Sequence, residues 1–143
     1  FILSNKGYGL LWNNYGLTDF NPADESIELT PASASGEAVT VNTTGTSGNV
    51  RETRQTYSFT ASLEVPHSGR YSLLLDVGQR MARKYYLAID GDKVFDINNL
   101  WLPPTTSAIV ELSAGKHAIE VQGERNDKPV LYWHPVSESE SVT

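Results

Sequence analysis

The acidic residues and histidines of this chain do not stand in the spacings that catalysis or metal binding requires. Asp90, Asp92 and Asp96 surround an Asp-Gly pair, where aspartate is expected for turn formation. No serine lies in a nucleophile elbow, and no metal-ligand spacing joins the three histidines, which are His67, His117 and His134. We therefore expect no catalytic residue, no metal and no cofactor in this chain, and a structural role for the histidines.

One segment combines an aromatic side chain with amides on a stiff backbone. Trp101 lies within Asn98-Asn99-Leu100-Trp101-Leu102-Pro103-Pro104, where the prolines restrict the backbone and the asparagines supply donors and acceptors. Sugars present apolar C–H faces rimmed by hydroxyls, so a metal-free sugar site pairs an aromatic platform with a few polar groups. Arg80 and Arg83 are candidates for a guanidinium contact. In the alternative interpretation, Trp101 plugs the end of a core and the arginines are only solvated.

The composition indicates one globular domain that does not bind nucleic acid. The 143 residues are 39% hydrophobic and 20% charged, which suits a single core. The formal net charge of -6 and the scattered basic residues argue against a nucleic-acid partner, because phosphate binding needs clustered Lys and Arg. No apolar run approaches the roughly 20 residues that cross a bilayer, so no membrane partner is expected. The chain has no cysteine, which excludes disulfides.

Short β-prone segments recur along the chain and predict an all-β fold. The segment from Thr56 to Val65 alternates apolar and polar residues, as a half-buried strand does. Asp90-Gly91 is a strong hairpin signal, and Ala114-Gly115 is expected to close a second hairpin. Many short strands at about ten-residue spacing indicate an antiparallel sandwich or barrel, in which Trp12 and Trp133 are expected to pack. The other predicted strands are Ser26–Leu29, Glu37–Val41, Tyr71–Leu75, Tyr85–Ile89, Lys93–Ile97, Ala108–Leu112, His117–Val121 and Val130–Trp133.

Three motifs follow one another in the second half of the chain: Ser68-Gly69-Arg70-Tyr71, then Tyr86-Leu87-Ala88-Ile89-Asp90-Gly91, then Leu112-Ser113-Ala114-Gly115-Lys116-His117. Their order resembles the protective-antigen (PA-14) domain family, over about residues 52 to 136. The resemblance implies a β-sandwich or barrel of a kind that often binds sugars and is often inserted in glycoside hydrolases.

A separate segment precedes these motifs: Ser4-Asn5-Lys6-Gly7-Tyr8-Gly9-Leu10-Leu11-Trp12-Asn13-Asn14-Tyr15. It resembles the part of the amino-terminal β-domain of family 31 α-glycosidases, α-xylosidases in particular, that comes before such an insert. The resemblance implies that Asn13, Asn14 and Tyr15 lie near the sugar-binding cleft of a catalytic barrel.

The chain departs from the calcium-dependent lectins of the PA-14 type at one motif. Those lectins carry two consecutive aspartates about seven positions after the Gly-x-Tyr tyrosine, where this chain has Gly78 and Gln79, with Asp76 nearby. Calcium takes six to eight oxygen ligands, and the missing pair removes its best ones. We therefore expect sugar binding without calcium. The spacing to Asp90-Gly91 is also longer than is usual in the family, which suggests an extended loop from Gly78 to Lys84.

Together the two resemblances imply a non-catalytic carbohydrate-binding module of a family 31 glycoside hydrolase that acts on xyloglucan-type oligosaccharides. The catalytic barrel of the parent chain would be its partner, and the location would be secreted or periplasmic. We expect a host strand and turn in residues 1–20, a PA-14-like module in 21–136 and a linker in 137–143. Two alternatives are a structural or assembly insert that touches no sugar, and a free-standing calcium lectin, which Gly78-Gln79 disfavours. The candidate sugar-binding residues are Trp101, Asn98, Asn99, Arg83, Asn14 and Tyr15.

Overall fold

The computed structural model describes residues 2–3, 7, 9–10, 25–79, 84–97 and 104–136. These residues form strands and turns, and no helix long and apolar enough to span a membrane occurs among them. The strands are β1 (Ile2–Leu3), β2 (Gly9–Leu10), β3 (Glu25–Glu28), β4 (Thr30–Gly45), β5 (Gly48–Val65), β6 (Gly69–Asp76), β7 (Tyr85–Ile89), β8 (Asp92–Ile97), β9 (Thr105–Leu112), β10 (Gly115–Gly123) and β11 (Val130–Pro135).

Apart from the small pair of β1 with β2, the strands form two antiparallel sheets. The five-stranded sheet has the order β4-β5-β10-β7-β8, and the four-stranded sheet has the order β3-β11-β6-β9. Side chains from both sheets share one buried core. The predicted all-β antiparallel sandwich is therefore confirmed, and the predicted strands fall within β3 to β11 apart from Leu29, which follows β3.

The two predicted hairpins have different outcomes. Asp90 and Gly91 form the turn between the paired strands β7 and β8, both with positive φ, at 52° and 89°. The hairpin predicted at Ala114-Gly115 is wrong, because β9 pairs with β6 and β10 pairs with β5 and β7. The Ser113-Ala114 turn therefore carries the chain from one sheet to the other. Turn residues fix where a chain reverses, but the burial of each strand decides which neighbour it pairs with.

The core follows from the alternation of apolar residues along the strands. In β5, Phe59, Leu63 and Val65 are buried, and the residues between them are exposed or half-buried. Strands β6 and β10 alternate in the same way. Burial of each such aliphatic side chain contributes about 1.5–3 kcal/mol, so the inward rows hold the two sheets together. The residues with no exposed surface are Leu63, Leu73, Leu75, Leu87, Val121 and Leu131.

The hairpin of β4 and β5 extends beyond the sandwich. The ladder between β10 and β5 stops at Gly123 opposite Tyr57, whereas β4 and β5 remain paired from Ala38 opposite Gln55 to Gly45 opposite Gly48. We call residues 38–45 and 48–55 the arm. At about 3.4 Å per residue the arm projects roughly 24 Å, and it leaves the sandwich at the end where β10 stops.

Candidate functional site

Seven of the described strands begin or end together at one end of the sandwich, which we call the loop end: β3, β6, β7, β8, β9, β10 and β11. β6 stops at Asp76, which pairs with both the first residue of β9, Thr105, and the first residue of β11, Val130. In the other sheet the first residue of β7, Tyr85, pairs with the last residue of β8, Ile97. The connections after β6, β8 and β10 therefore meet at this end.

Backbone hydrogen bonds tie these connections to one another. The Val77 N–H donates to the Pro104 carbonyl at 3.0 Å, and the Val77 carbonyl accepts from the Lys128 N–H at 2.9 Å. Val77 itself is buried, with 1% of its surface exposed. A single buried residue thus fixes the segments after β6, before β9 and before β11 relative to one another.

Gly78 is required by the geometry of this junction. Its φ is +74°, a conformation that residues with a Cβ rarely adopt. A Cβ at this position would also lie 2.8 Å from the Lys128 carbonyl oxygen. The Asp76 carboxylate accepts a hydrogen bond from the Gly78 N–H at 2.8 Å and so stabilises the turn. Residue 78 is therefore a glycine that the backbone requires.

Gln79 links this turn to the connection between β10 and β11. Its side-chain amide donates to the Asn126 carbonyl at 2.7 Å. The neighbouring Asp127 is buried, and burial raises the pKa of its carboxyl group, which also accepts from the Glu124 N–H at 2.7 Å and from Gln79. Gln79 thus connects the turn after β6 to the segment between β10 and β11.

The candidate sugar-binding residues of two loop segments, 80–83 and 98–103, lie outside the described residues. These are Arg83, Asn98, Asn99 and Trp101, together with Arg80. The residues that flank the two segments are described, and Gln79, Lys84, Ile97 and Pro104 all lie at the loop end. Exposed polar side chains of the next connection, Arg125, Asn126 and Lys128, surround the same end.

The candidates from the amino-terminal segment also lie outside the described residues. These are Asn14 and Tyr15, with Asn13 and Trp12. Only the short pairing of β1 with β2 is described in that segment. The roles and boundaries predicted for residues 1–20 therefore remain predictions.

Trp133 and His117, for which a functional and a structural role were both considered, make structural contacts. Trp133 is half-buried and packs on the core, with its ring centroid 5.8 Å from that of Tyr71, as predicted. His117 is buried, and its Nδ1 lies 2.6 Å from the Asp90 carboxylate while its Nε2 lies 2.8 Å from the Ser113 carbonyl. Because both ring nitrogens face acceptors, the Ser113 carbonyl first and Asp90 second raise the pKa of His117. The pKa of Asp90 is lowered by His117 and by the Ala118 N–H.

Sequence reasoning missed a polar and aromatic surface on the outer face of the five-stranded sheet. Glu120 accepts hydrogen bonds from the Tyr86 hydroxyl at 3.1 Å and from the Ser58 hydroxyl at 3.3 Å. The Lys93 ammonium lies 4.5 Å from the centre of the Tyr86 ring and 2.9 Å from the Asp96 carboxylate. Burial and Glu120 raise the pKa of Tyr86. The alternation in β7, which buries Tyr85 and turns Tyr86 outward, was the available signal. Since Lys93 covers the ring, we interpret this surface as a stabilising network.

Among the residues that the structure describes, no group of three or more histidine and acidic side chains is arranged to hold a metal ion. The nearby Asp76 carboxylate accepts a hydrogen bond from the Gly78 N–H of the turn.

Comparison with known proteins gives structural likenesses at low sequence identity. No protein-family profile and no curated protein sequence matches the chain. A GH31 α-xylosidase from Xanthomonas citri is similar at 16% identity with a TM-score of 0.45, over 80% of this chain and 14% of that one. A family 35 carbohydrate binding module from Clostridium thermocellum is similar at 14% identity and 0.46, over 77% of this chain and 98% of that one.

A third similar structure is the carbohydrate binding module of Cellvibrio mixtus lichenase 5A in complex with cellotriose, at 15% identity and a TM-score of 0.44, over 80% of this chain and 99% of that one. This chain thus spans a small fraction of the α-xylosidase and nearly the whole length of the two modules. The assignment of the sandwich rests on the strand order of the chain itself. The resemblance to the PA-14 family stays a prediction.

Proposed function

We propose that this chain is a non-catalytic carbohydrate-binding module of a family 31 glycoside hydrolase of the α-xylosidase kind. In this proposal it binds xyloglucan-type oligosaccharides at the loop end and extends the substrate cleft of the catalytic barrel. The parent enzyme would be secreted or periplasmic, as its resemblance implies.

One observation carries the proposal: both candidate loop segments are anchored at the same end of a rigid sandwich. Residues 80–83 continue from Gln79 to Lys84, and residues 98–103 continue from Ile97 to Pro104. The pair Tyr85 with Ile97 holds Lys84 near Ile97, and the bond from Val77 to Pro104 holds Gln79 near Pro104. Since a chain advances at most about 3.6 Å per residue, Arg83 and the Asn98 to Trp101 segment are candidates for a single site.

The chemistry of this combination suits a polyhydroxyl ligand. An indole ring offers an apolar surface to the C–H face of a sugar, and asparagine and arginine supply donors and acceptors at its rim. Loops held by a rigid scaffold are where binding residues concentrate. The short Val77 to Gln79 segment supplies that rigidity on one side.

The test is calorimetric titration of the chain with a xyloglucan oligosaccharide. Trp101→Ala should raise Kd about tenfold or more, equivalent to ~1.4 kcal/mol. Arg83→Ala should weaken binding as well, whereas Arg70→Ala should leave Kd unchanged, because Arg70 is exposed at the opposite end of the sandwich. Equal effects of the two arginine variants on Kd would contradict a sugar site at the loop end. The absence of any heat of binding for the unsubstituted 143-residue chain would also contradict it.

A second test uses the whole enzyme. Binding energy from remote subsites acts only on substrates long enough to reach them. Trp101→Ala in the full enzyme should therefore raise KM for long oligosaccharides and spare a small aryl xyloside. An equal effect on both substrates would instead favour a structural insert that braces the barrel.

A further inference from the structure

The arm has open edges that no described strand covers. Beyond Tyr57, β10 no longer lies beside β5, and β4 is the outermost strand of its sheet among the described residues. A two-stranded ribbon on its own is marginally stable in water. Its unpaired N–H and C=O groups form a template for a further strand.

The two edges of the arm differ in how well they are protected. Residues 38–45 of β4 read Ala-Val-Thr-Val-Asn-Thr-Thr-Gly, without a charge or a proline and with β-branched residues predominating. The corresponding part of β5 carries Arg51, Glu52 and Arg54. Nearer the sandwich, β4 has Pro31 and two register shifts before Ala38, both of which discourage pairing. The regular, uncharged edge is therefore confined to residues 38–45 of β4.

The ladder determines which backbone groups face this open edge. Thr46 and Ser47 form a two-residue turn between Gly45 and Gly48. In such a hairpin the pair that closes the turn is hydrogen-bonded, and the pairs then alternate between bonded and non-bonded. The N–H and C=O groups of alternate β4 residues, Ala38, Thr40, Asn42 and Thr44, therefore point away from β5.

We propose that this edge pairs with the same edge of a second copy of the chain, antiparallel about a two-fold axis at Val41. The register places Thr40 opposite Asn42 and Ala38 opposite Thr44 of the other copy, so that edge-directed groups meet edge-directed groups. It also sets Val39 opposite Thr43 and the two copies of Val41 opposite each other. The product is a continuous ribbon in the order β5-β4-β4-β5.

The local charge of the arm permits a second copy as the occupant. The net charge of -6 on each chain opposes self-association in general. The arm and the residue before it carry two acids, Glu37 and Glu52, and two bases, Arg51 and Arg54, so this region is neutral. In the proposed register no charged residue of β4 lies opposite a like charge, since Glu37 meets Gly45.

The test is the mass of the chain in solution, measured by light scattering and by sedimentation across a wide range of concentration. We expect twice the mass of one chain at high concentration. Thr40→Pro removes an N–H that points to the open edge and leaves the ladder to β5 intact, so it should give the mass of one chain. Thr53→Pro is the matched control, because Thr53 lies opposite Thr40 and its N–H points to the other edge of the arm.

Thr53→Pro should remain dimeric. Three results would each overturn the assignment to the β4 edge: the unsubstituted chain is monomeric at every concentration, the Thr40→Pro variant is dimeric, or the Thr53→Pro variant is monomeric. Should either proline variant fail to fold, as judged by its unfolding midpoint, Thr40→Lys and Thr53→Lys place a charge on the same two edges and carry the same expectations. The substitution Thr40→Pro lies in the arm and leaves the candidate sugar-binding segments 80–83 and 98–103 unchanged. Sugar titration of the Thr40→Pro monomer therefore tests the proposed function separately from dimer formation.

Discussion

Gly78 is the residue on which the loop end depends most directly, and Gly78→Ala should destabilise the fold by about 2–3 kcal/mol. Its φ of +74° lies in the left-handed region, where a residue with a Cβ costs roughly 1–2 kcal/mol. The added Cβ would also lie 2.8 Å from the Lys128 carbonyl oxygen. Relieving that contact displaces Lys128, whose N–H donates to Val77, and a lost hydrogen bond costs about 1 kcal/mol more.

Gly91→Ala separates the two contributions. Gly91 also has a positive φ, +89°, but a Cβ there would meet nothing within 4 Å. Gly91→Ala should therefore lower the free energy of unfolding only by the cost of the left-handed backbone, roughly 1–2 kcal/mol. Urea unfolding followed by tryptophan fluorescence gives both values, from the shift in midpoint at constant slope. If Gly78→Ala costs no more than Gly91→Ala, the contact with Lys128 does not constrain the loop end as described.

Two further predictions concern the core and its dependence on pH. Leu73→Ala should lower the free energy of unfolding by about 2–5 kcal/mol because Leu73 is fully buried. Leu74→Ala, at the neighbour that is 40% exposed, should lower it by under about 1 kcal/mol. Similar losses in the two variants, measured by urea unfolding, would contradict the inward position of Leu73 in β6. The raised pKa of His117 means that the folded state binds its proton more tightly than the unfolded state does. Its stabilisation is therefore complete below about pH 6.5 and is lost as the pH rises through the higher folded value. The lowered pKa of Asp90 adds stability above the ordinary aspartate range, lost as the pH falls through that lowered value. Across pH 5 to 9, the midpoint temperature of thermal unfolding should fall above neutrality, and His117→Asn should remove that fall. An unchanged fall in the variant would show that other groups cause it.

The fold was largely predictable because its determinants are local and periodic. The alternation from Thr56 to Val65 set the inward row of β5, and Asp90-Gly91 set the β7–β8 turn through two positive φ angles. The pairing of β9 and β10 was not predictable in this way. Ala114-Gly115 reverses the chain as a hairpin turn does, but the strands on either side belong to different sheets. Partner choice depends on packing between distant segments, which a local pattern does not contain.

The chemistry of the candidate site stays a prediction, and the backbone contacts that support the site could not be predicted. Trp101 and its neighbouring asparagines were recognisable from residue type and proline content alone. The junction at the loop end was not, because it depends on a hydrogen bond between Val77 and Pro104 and on a glycine placed against Lys128. Gly78 and Gln79 drew attention only as the absence of an aspartate pair. In the structure Gly78 allows a close backbone approach, and Gln79 joins two connections.

The length of the arm was also outside the reach of the sequence pattern. The segment 37–41 was predicted as a short strand, and the structure continues it through Gly45 as part of β4. The threonines and asparagines of the arm give no long apolar alternation to follow. Its strand character depends on pairing with β5 along the whole hairpin.

The most direct test of a sugar site at the loop end is residue-by-residue mapping of chemical shifts in the ¹⁵N-labelled chain during titration with a xyloglucan oligosaccharide. We expect the perturbed amides to cluster at the loop end, among Gln79, Lys84, Ile97, Thr105 and Asn126, and the opposite end around Gly69 and Ala114 to be unaffected. An absence of saturable shifts, or a cluster centred on that opposite end, would contradict it.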